Sequence, residues 1–187
     1  MASIGHVAVG MAAARWRSGT GGARGATRAL ALSMLLWSGL SMLPDADVLG
    51  FALGVRYGDP WGHRGATHSF AFAIALGLLL GLLAAGFGAA GARRPPRAAV
   101  VTALLASLVL ASHAVLDTLT DGGRGCALFW PFSDERHFAP LRPIPVAPIG
   151  LGFLSQRGLR VALVELVLFA PVFAYALWPR RSRRGPG

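Results

Sequence analysis

The stretch Thr67–Gly91, THSFAFAIALGLLLGLLAAGFGAAG, decides the fold. After Ser69 it runs to Gly91 without an ionisable side chain, which exceeds the roughly 20 apolar residues that span about 30 Å of hydrocarbon. Working outward, Ala98–Leu119 and Leu159–Trp178 approach the same length and are nearly free of charge. Ala29–Leu43 is slightly short for a span, and Ile4–Ala14 is shorter still, near the length of a half-span or interfacial helix. The composition agrees: 54% of the 187 residues are hydrophobic, the mean hydropathy is +0.55, and the bilayer is the expected solvent.

A net charge of +10 raises the question of nucleic acid, but the arginines stand in short runs beside apolar segments instead of alternating with aromatics along a groove. No nucleic-acid partner is expected. Arg15, Arg17, Arg24 and Arg28 fill one connection, Arg93, Arg94 and Arg97 a second, and Arg180, Arg181, Arg183 and Arg184 the tail. The positive-inside bias puts all three in the cytoplasm. The acid-bearing stretches Pro44–Ala66 and Asp121–Arg157 then face outward, and the chain reads as an up-and-down, multi-pass protein of the plasma membrane. The fold class is an all-α integral membrane bundle of four to five helices forming a single domain over residues 1–187, with a polar metal site near one membrane face. Helices are required because lipid offers no partner to free backbone polar groups, and abundant Gly and Ala permit close packing. Proline and glycine make regular helix unexpected in Pro44–Gly65 and in Asp121–Gly158.

The single Cys126 excludes an internal disulfide and a cysteine-rich zinc cluster. The start lacks a basic n-region, and Ser-Ile-Gly-His interrupts its apolar run, so the first segment is expected to be retained.

Eight acids and five histidines are available, and most fall into four groups: His6; Asp45 and Asp47; His63 and His68; His113 and Asp117. In the topology above, every group lands at the outer end. Polar groups at membrane depth cost about 2.5–3.5 kcal/mol when charged, so those present pair or line a functional cavity. His113 and Asp117, four apart on one helix, point the same way, and imidazole with carboxylate suits Zn, Mn or Fe. Asp45 and Asp47 follow a proline in a turn where alternate carboxylates can converge on a cation. Arg64, between His63 and His68, can grip a phosphate or carboxylate, and Thr67 and Ser69 can orient ligands. His6, Asp45, Asp47, His63, His68, His113 and Asp117 make seven candidate ligands for one or two divalent metal ions, zinc first. A two-metal site would activate water and hold an ester or phosphoester oxygen. With no nucleophile elbow, metal-activated water is the expected nucleophile, and Asp45 or Asp117 can serve as general base. Glu165, inside the last apolar segment, either pairs with an arginine or completes the site.

These motifs resemble the YdjM-like family of inner-membrane, metal-dependent hydrolases. The resemblance rests on Gly5-His6, Leu-Pro-Asp-x-Asp at Leu43–Asp47, His-Arg-Gly-x-Thr-His-Ser at His63–Ser69, His-x-x-x-Asp at His113–Asp117 and Trp-Pro-Phe-Ser at Trp130–Ser133. Family members often carry Thr-His where this chain has Gly5-His6. The resemblance implies hydrolysis as a reaction class. Together the readings give a membrane-bound hydrolase of a small-molecule or lipid-like ester or phosphoester, with Asp45, Asp117 and Arg64 as the catalytic candidates. The alternative is a non-catalytic divalent-metal-binding membrane protein or transporter, which would need polar residues through the inner halves of the helices beyond Ser33, Ser38, Thr102 and Ser107.

Overall fold

A computed structural model describes residues 3–18, 24–86 and 96–179. Arg93, Arg94 and the tail arginines Arg180, Arg181, Arg183 and Arg184 lie outside the described residues, as does the end of the Thr67–Gly91 stretch. The described chain forms six α-helices: α1 (Ser3–Arg17), α2 (Arg24–Met42), α3 (Phe70–Gly86), α4 (Pro96–Thr118), α5 (Gln156–Leu168) and α6 (Ala170–Leu177). Two continuous stretches, Arg28–Leu53 and Pro96–Thr118, are long and apolar enough to cross a membrane, and α5 with α6 forms a third if taken together.

The interior inverts the soluble pattern. Buried apolar positions are mostly alanine, among them Ala8, Ala14, Ala73, Ala106 and Ala114, whereas Leu35, Leu82, Leu108 and Val167 point outward. Large side chains face lipid and small ones face protein, because burial from lipid supplies no hydrophobic drive and close approach supplies the attraction instead. Two antiparallel pairs embody this, α1 with α2 and α3 with α4. Gly77 and Gly81 set α3 against α4: a Cβ at Gly77 would collide with Ser107, and one at Gly81 would sit 2.6 Å from the Ala103 Cβ. Both α2 and α3 rest on α4, but they do not pack on one another.

The last apolar segment is not the single helix its sequence predicts. It bends by 64° between α5 and α6. Pro171 falls in the first turn of α6; it lacks an N–H, and its ring excludes the carbonyl four residues back, so the helix cannot run straight through Phe169. A second departure lies in the stretch expected to be irregular. Leu43–Leu53 is a 3₁₀ segment with Pro44 in its first turn, where a missing N–H does no harm, and it closes on Gly54 at φ +82°.

The arginine-bearing ends meet. Arg15 at the end of α1 donates to the Trp178 carbonyl just past α6, and Trp16, Arg17, Arg97 and Ala98 line one shallow depression. At the other end of the bundle, residues 119–155 form a cap of turns, a short 3₁₀ segment Gly150–Leu154 and two isolated bridges, Thr120 with Ile144 and Cys126 with His137. Ala127 N–H donates to the Arg64 carbonyl at 2.9 Å and Phe70 N–H to the Leu128 carbonyl at 3.0 Å. The cap is therefore stitched to the connection between the 3₁₀ segment and α3.

Candidate metal centre

Four elements deliver polar groups to one point beneath this cap. The end of α2 and its 3₁₀ continuation bring Ser41, Asp45 and Asp47; the turn before α3 brings His63, Arg64 and His68; the last turns of α4 bring His113 and Asp117; and the first turn of α1 brings His6. His6, His63, Arg64, His68, His113 and Asp117 are all at most 1% exposed, and Asp45 is 4% exposed.

Asp45, His68, His113 and Asp117 form the tightest group, with one donor atom from each lying within 4.8 Å of the others. His68 Nε2 is 3.1 Å from His113 Nε2. Asp45 Oδ1 is 3.5 Å from both of these nitrogens, and Asp117 Oδ2 is 3.5 Å from His68 Nε2. Donor atoms at metal-ligand bond lengths of about 2.0–2.2 Å stand about 3.4 Å apart around a tetrahedral cation. The spacing fits a metal.

Tautomers sharpen the fit. His113 Nδ1 lies 2.7 Å from the Ser41 carbonyl, which can only accept. The ring proton therefore sits on Nδ1, and the Nε2 lone pair faces the cluster. On His68, Nδ1 is 3.3 Å from Asp47 Oδ2 and 3.1 Å from Thr67 Oγ1, so the same logic turns its Nε2 lone pair inward. Between these nitrogens, both carboxylate oxygens of Asp45 are buried without a hydrogen-bond partner. Such an anion is very costly unless a cation meets it. A proton shared by the imidazoles would serve one acceptor, whereas a divalent cation would serve all four.

Asp47 and His63 form a second group with His68, but their atoms are engaged with one another. His63 Nδ1 donates to Asp47 Oδ1 at 2.7 Å. The other oxygen, Oδ2, accepts from Thr67 Oγ1 at 2.8 Å and from the Arg64 N–H at 3.1 Å. Asp47 is thus placed as the carboxylate that orients two imidazoles. Ser69, expected beside Thr67 as an orienting hydroxyl, instead caps α3, accepting from the Phe72 N–H at 3.1 Å.

Arg64 is directed into the protein. Its Nε is 3.0 Å from Asp117 Oδ2, Nη1 donates to the Gly122 carbonyl and Nη2 to Thr120 Oγ1, each at 2.9 Å. Its backbone stands at φ +64°, a left-handed conformation that a long side chain adopts only when its surroundings demand it. Burial is the largest single influence and disfavours its charge, but the Asp117 carboxylate together with Cys126, Tyr57 and Asp45 offsets it, raising its pKa. His6 reaches the same carboxylate, with Nε2 3.3 Å from Asp117 Oδ1, and its ring stacks on His113 at 3.7 Å between centroids. The Trp130-Pro131-Phe132 turn packs Trp130 against Trp61 while Phe132 stays 90% exposed. The closer cover is Arg136, whose guanidinium donates to the carbonyls of His63, Tyr57 and Asp59.

Among the described residues Glu165 neither pairs with an arginine nor joins the cluster. Its Oε2 accepts from the backbone N–H groups of Ile4 at 2.7 Å and Gly5 at 3.1 Å, so it anchors the first turn of α1 immediately before His6. A costly acid inside an apolar segment was the sequence signal for Glu165. Nothing comparable marked Arg136, one more loop arginine, or Ser41, which contributes only a carbonyl.

A family model described as YdjM inner membrane protein matches residues 1–182. The chain is 42% identical to the inner membrane protein YbcI of Escherichia coli (strain K12) over 154 residues, covering 79% of this chain and 84% of that protein. No solved structure matches. The match runs over nearly the whole chain: this is a multi-pass inner membrane protein belonging to the YdjM inner membrane protein family.

Proposed function

We propose that the protein is a membrane-embedded, metal-dependent hydrolase of an ester or phosphoester, with Asp45, His68, His113 and Asp117 holding the cation. The observation that carries this reading is the partnerless Asp45 carboxylate between two inward-facing imidazole lone pairs. A divalent cation bound there supplies Lewis-acid chemistry, polarising an ester or phosphoester oxygen and activating water. The chain's own residues prepare that chemistry. Asp47 holds the His68 tautomer, the Ser41 carbonyl holds that of His113, and Arg64 and His6 fix the two oxygens of Asp117. Near-complete burial keeps bulk water away, so each of these charges acts at low dielectric. Asp45, the most exposed of the four, is the group best placed to meet an incoming substrate and to take the proton of the attacking water.

The geometry favours catalysis over passage of the cation. Ser38 Oγ is turned to the Val7 carbonyl and Thr102 Oγ1 to the Ala98 carbonyl, so these hydroxyls offer no polar path through the bundle. The test is elemental analysis of detergent-purified protein, followed by a screen of ester and phosphoester substrates with wild type beside Asp117→Asn. Stoichiometric Zn, Mn or Fe with hydrolysis that the variant abolishes supports the reading. Protein that cannot be loaded with any of these metals overturns it.

A further inference from the structure

Because α2 and α3 both rest on α4 without packing on one another, they leave a groove. Its volume is about 410 Å³, its walls are Leu36, Trp37 and Leu40 of α2, Leu43 at the start of the 3₁₀ segment and Leu80 of α3, and its floor is Thr102 and Ala106 of α4. The one hydroxyl on the floor is spent on the Ala98 carbonyl at 2.8 Å. The groove is continuous with outward leucines on both sides, Leu32 and Leu35 on α2 and Leu78, Leu79 and Leu82 on α3, the surface on which bilayer chains lie. Apart from the Trp37 indole N–H its walls are hydrocarbon, and within the bilayer an apolar chain is what can fill it.

The floor also points at the metal cluster. Thr102, Ala106, His113 and Asp117 fall within about 60° on one face of α4, and Ala106 lies about 10 Å along the axis from His113. Leu40 and Leu43 flank Ser41, whose carbonyl fixes His113, and Leu43 is two residues from Asp45. We infer that this groove holds one acyl chain of a bilayer lipid and presents that lipid's ester or phosphoester end to the Asp45 side of the cluster. The inference rests on the hydrolase reading for its purpose and names the substrate class as a lipid.

Gly39 supplies the probe. It stands in the α2 wall, and a Cβ added there meets no protein atom within 4 Å, so the backbone has room for a side chain at Gly39 and Gly39→Phe is chosen to obstruct the groove. Leu80→Phe obstructs it from the opposite wall. In protein whose other four tryptophans are replaced by phenylalanine, Trp37 fluorescence is titrated in detergent with a phospholipid brominated on one acyl chain. The expected result is saturable quenching at about one lipid per chain, weakened at least tenfold in both filled variants with metal content unchanged. Non-saturating quenching that is equal in wild type and both variants overturns the inference. Hydrolysis of the same phospholipid separates the two readings. Saturable binding with no turnover of any ester or phosphoester by metal-loaded protein removes the hydrolase and leaves the lipid groove. Phospholipid turnover indifferent to both Gly39→Phe and Leu80→Phe removes the groove and leaves the hydrolase.

Discussion

Replacing the Asp45 carboxylate with an amide removes the anion that faces two imidazole lone pairs, so Asp45→Asn is expected to abolish metal retention, as is His113→Ala. Elemental analysis after gel filtration reads both. Asp47→Asn should behave differently, because Asp47 orients His68 from behind. Loss of such an orienting carboxylate weakens metal affinity about 10- to 100-fold, which a chelator competition titration would resolve from complete loss. Arg64→Ala strips the buried partner from Asp117 and should cost about 3–5 kcal/mol, read as a lowered unfolding midpoint in detergent. Cys126 offers a control on burial: it is fully enclosed, and burial and the nearby Asp117 push its thiol up to about 12. At pH 8 only about 10⁻⁴ of it is thiolate, so native protein should resist maleimide and label only on denaturation. At this scale the sequence was informative about which residues matter and silent about their division of labour. Spacing alone makes Asp45 and Asp47 equivalent, and only the pairing of Asp47 with His63 and Thr67 distinguishes them.

The helices themselves were legible where apolar length is the signal and illegible where a single residue interrupts it. Charge-free runs marked α4 and the start of α3 to within a turn. The break at Phe169 follows from Pro171, a residue that membrane helices often tolerate without bending, so its effect depends on neighbours that sequence does not show. The same dependence makes Gly77 testable. A side chain larger than hydrogen forces α3 off α4 at Ser107, and overpacking of this kind costs about 1–3 kcal/mol or more. Gly77→Leu should lower the unfolding midpoint clearly, whereas the same change at Gly86, where nothing lies within 4 Å, should leave it unchanged.

For the molecule as a whole, sequence reasoning placed every polar group at one end of the bundle from the arginine runs alone, and Arg15, Arg17 and Arg97 do gather at the end away from His6, His68 and Asp117. Which compartment that end faces follows from the positive-inside bias. A reporter fused after Gly187 is expected to signal from the cytoplasm, which sets the metal cluster toward the outer leaflet; an outer-side signal would reverse it. That the Pro- and Gly-rich stretch after α4 lies on the cluster's side without regular helix was legible, but how it is held was not, because turns held by backbone bonds such as Ala139 N–H to the Thr118 carbonyl leave no periodic trace. The grip of Glu165 on Ile4 and Gly5 closes a loop of 160 residues, and this bears on how the chain is made. At a synthesis rate of about 5–20 residues per second, roughly 10–30 s pass between the emergence of the first helix and that of its anchor. During that interval the first turn of α1 lacks its Glu165 anchor, and His6 is positioned only by the packing of α1 on α2 and, once α4 is made, by Asp117 and His113.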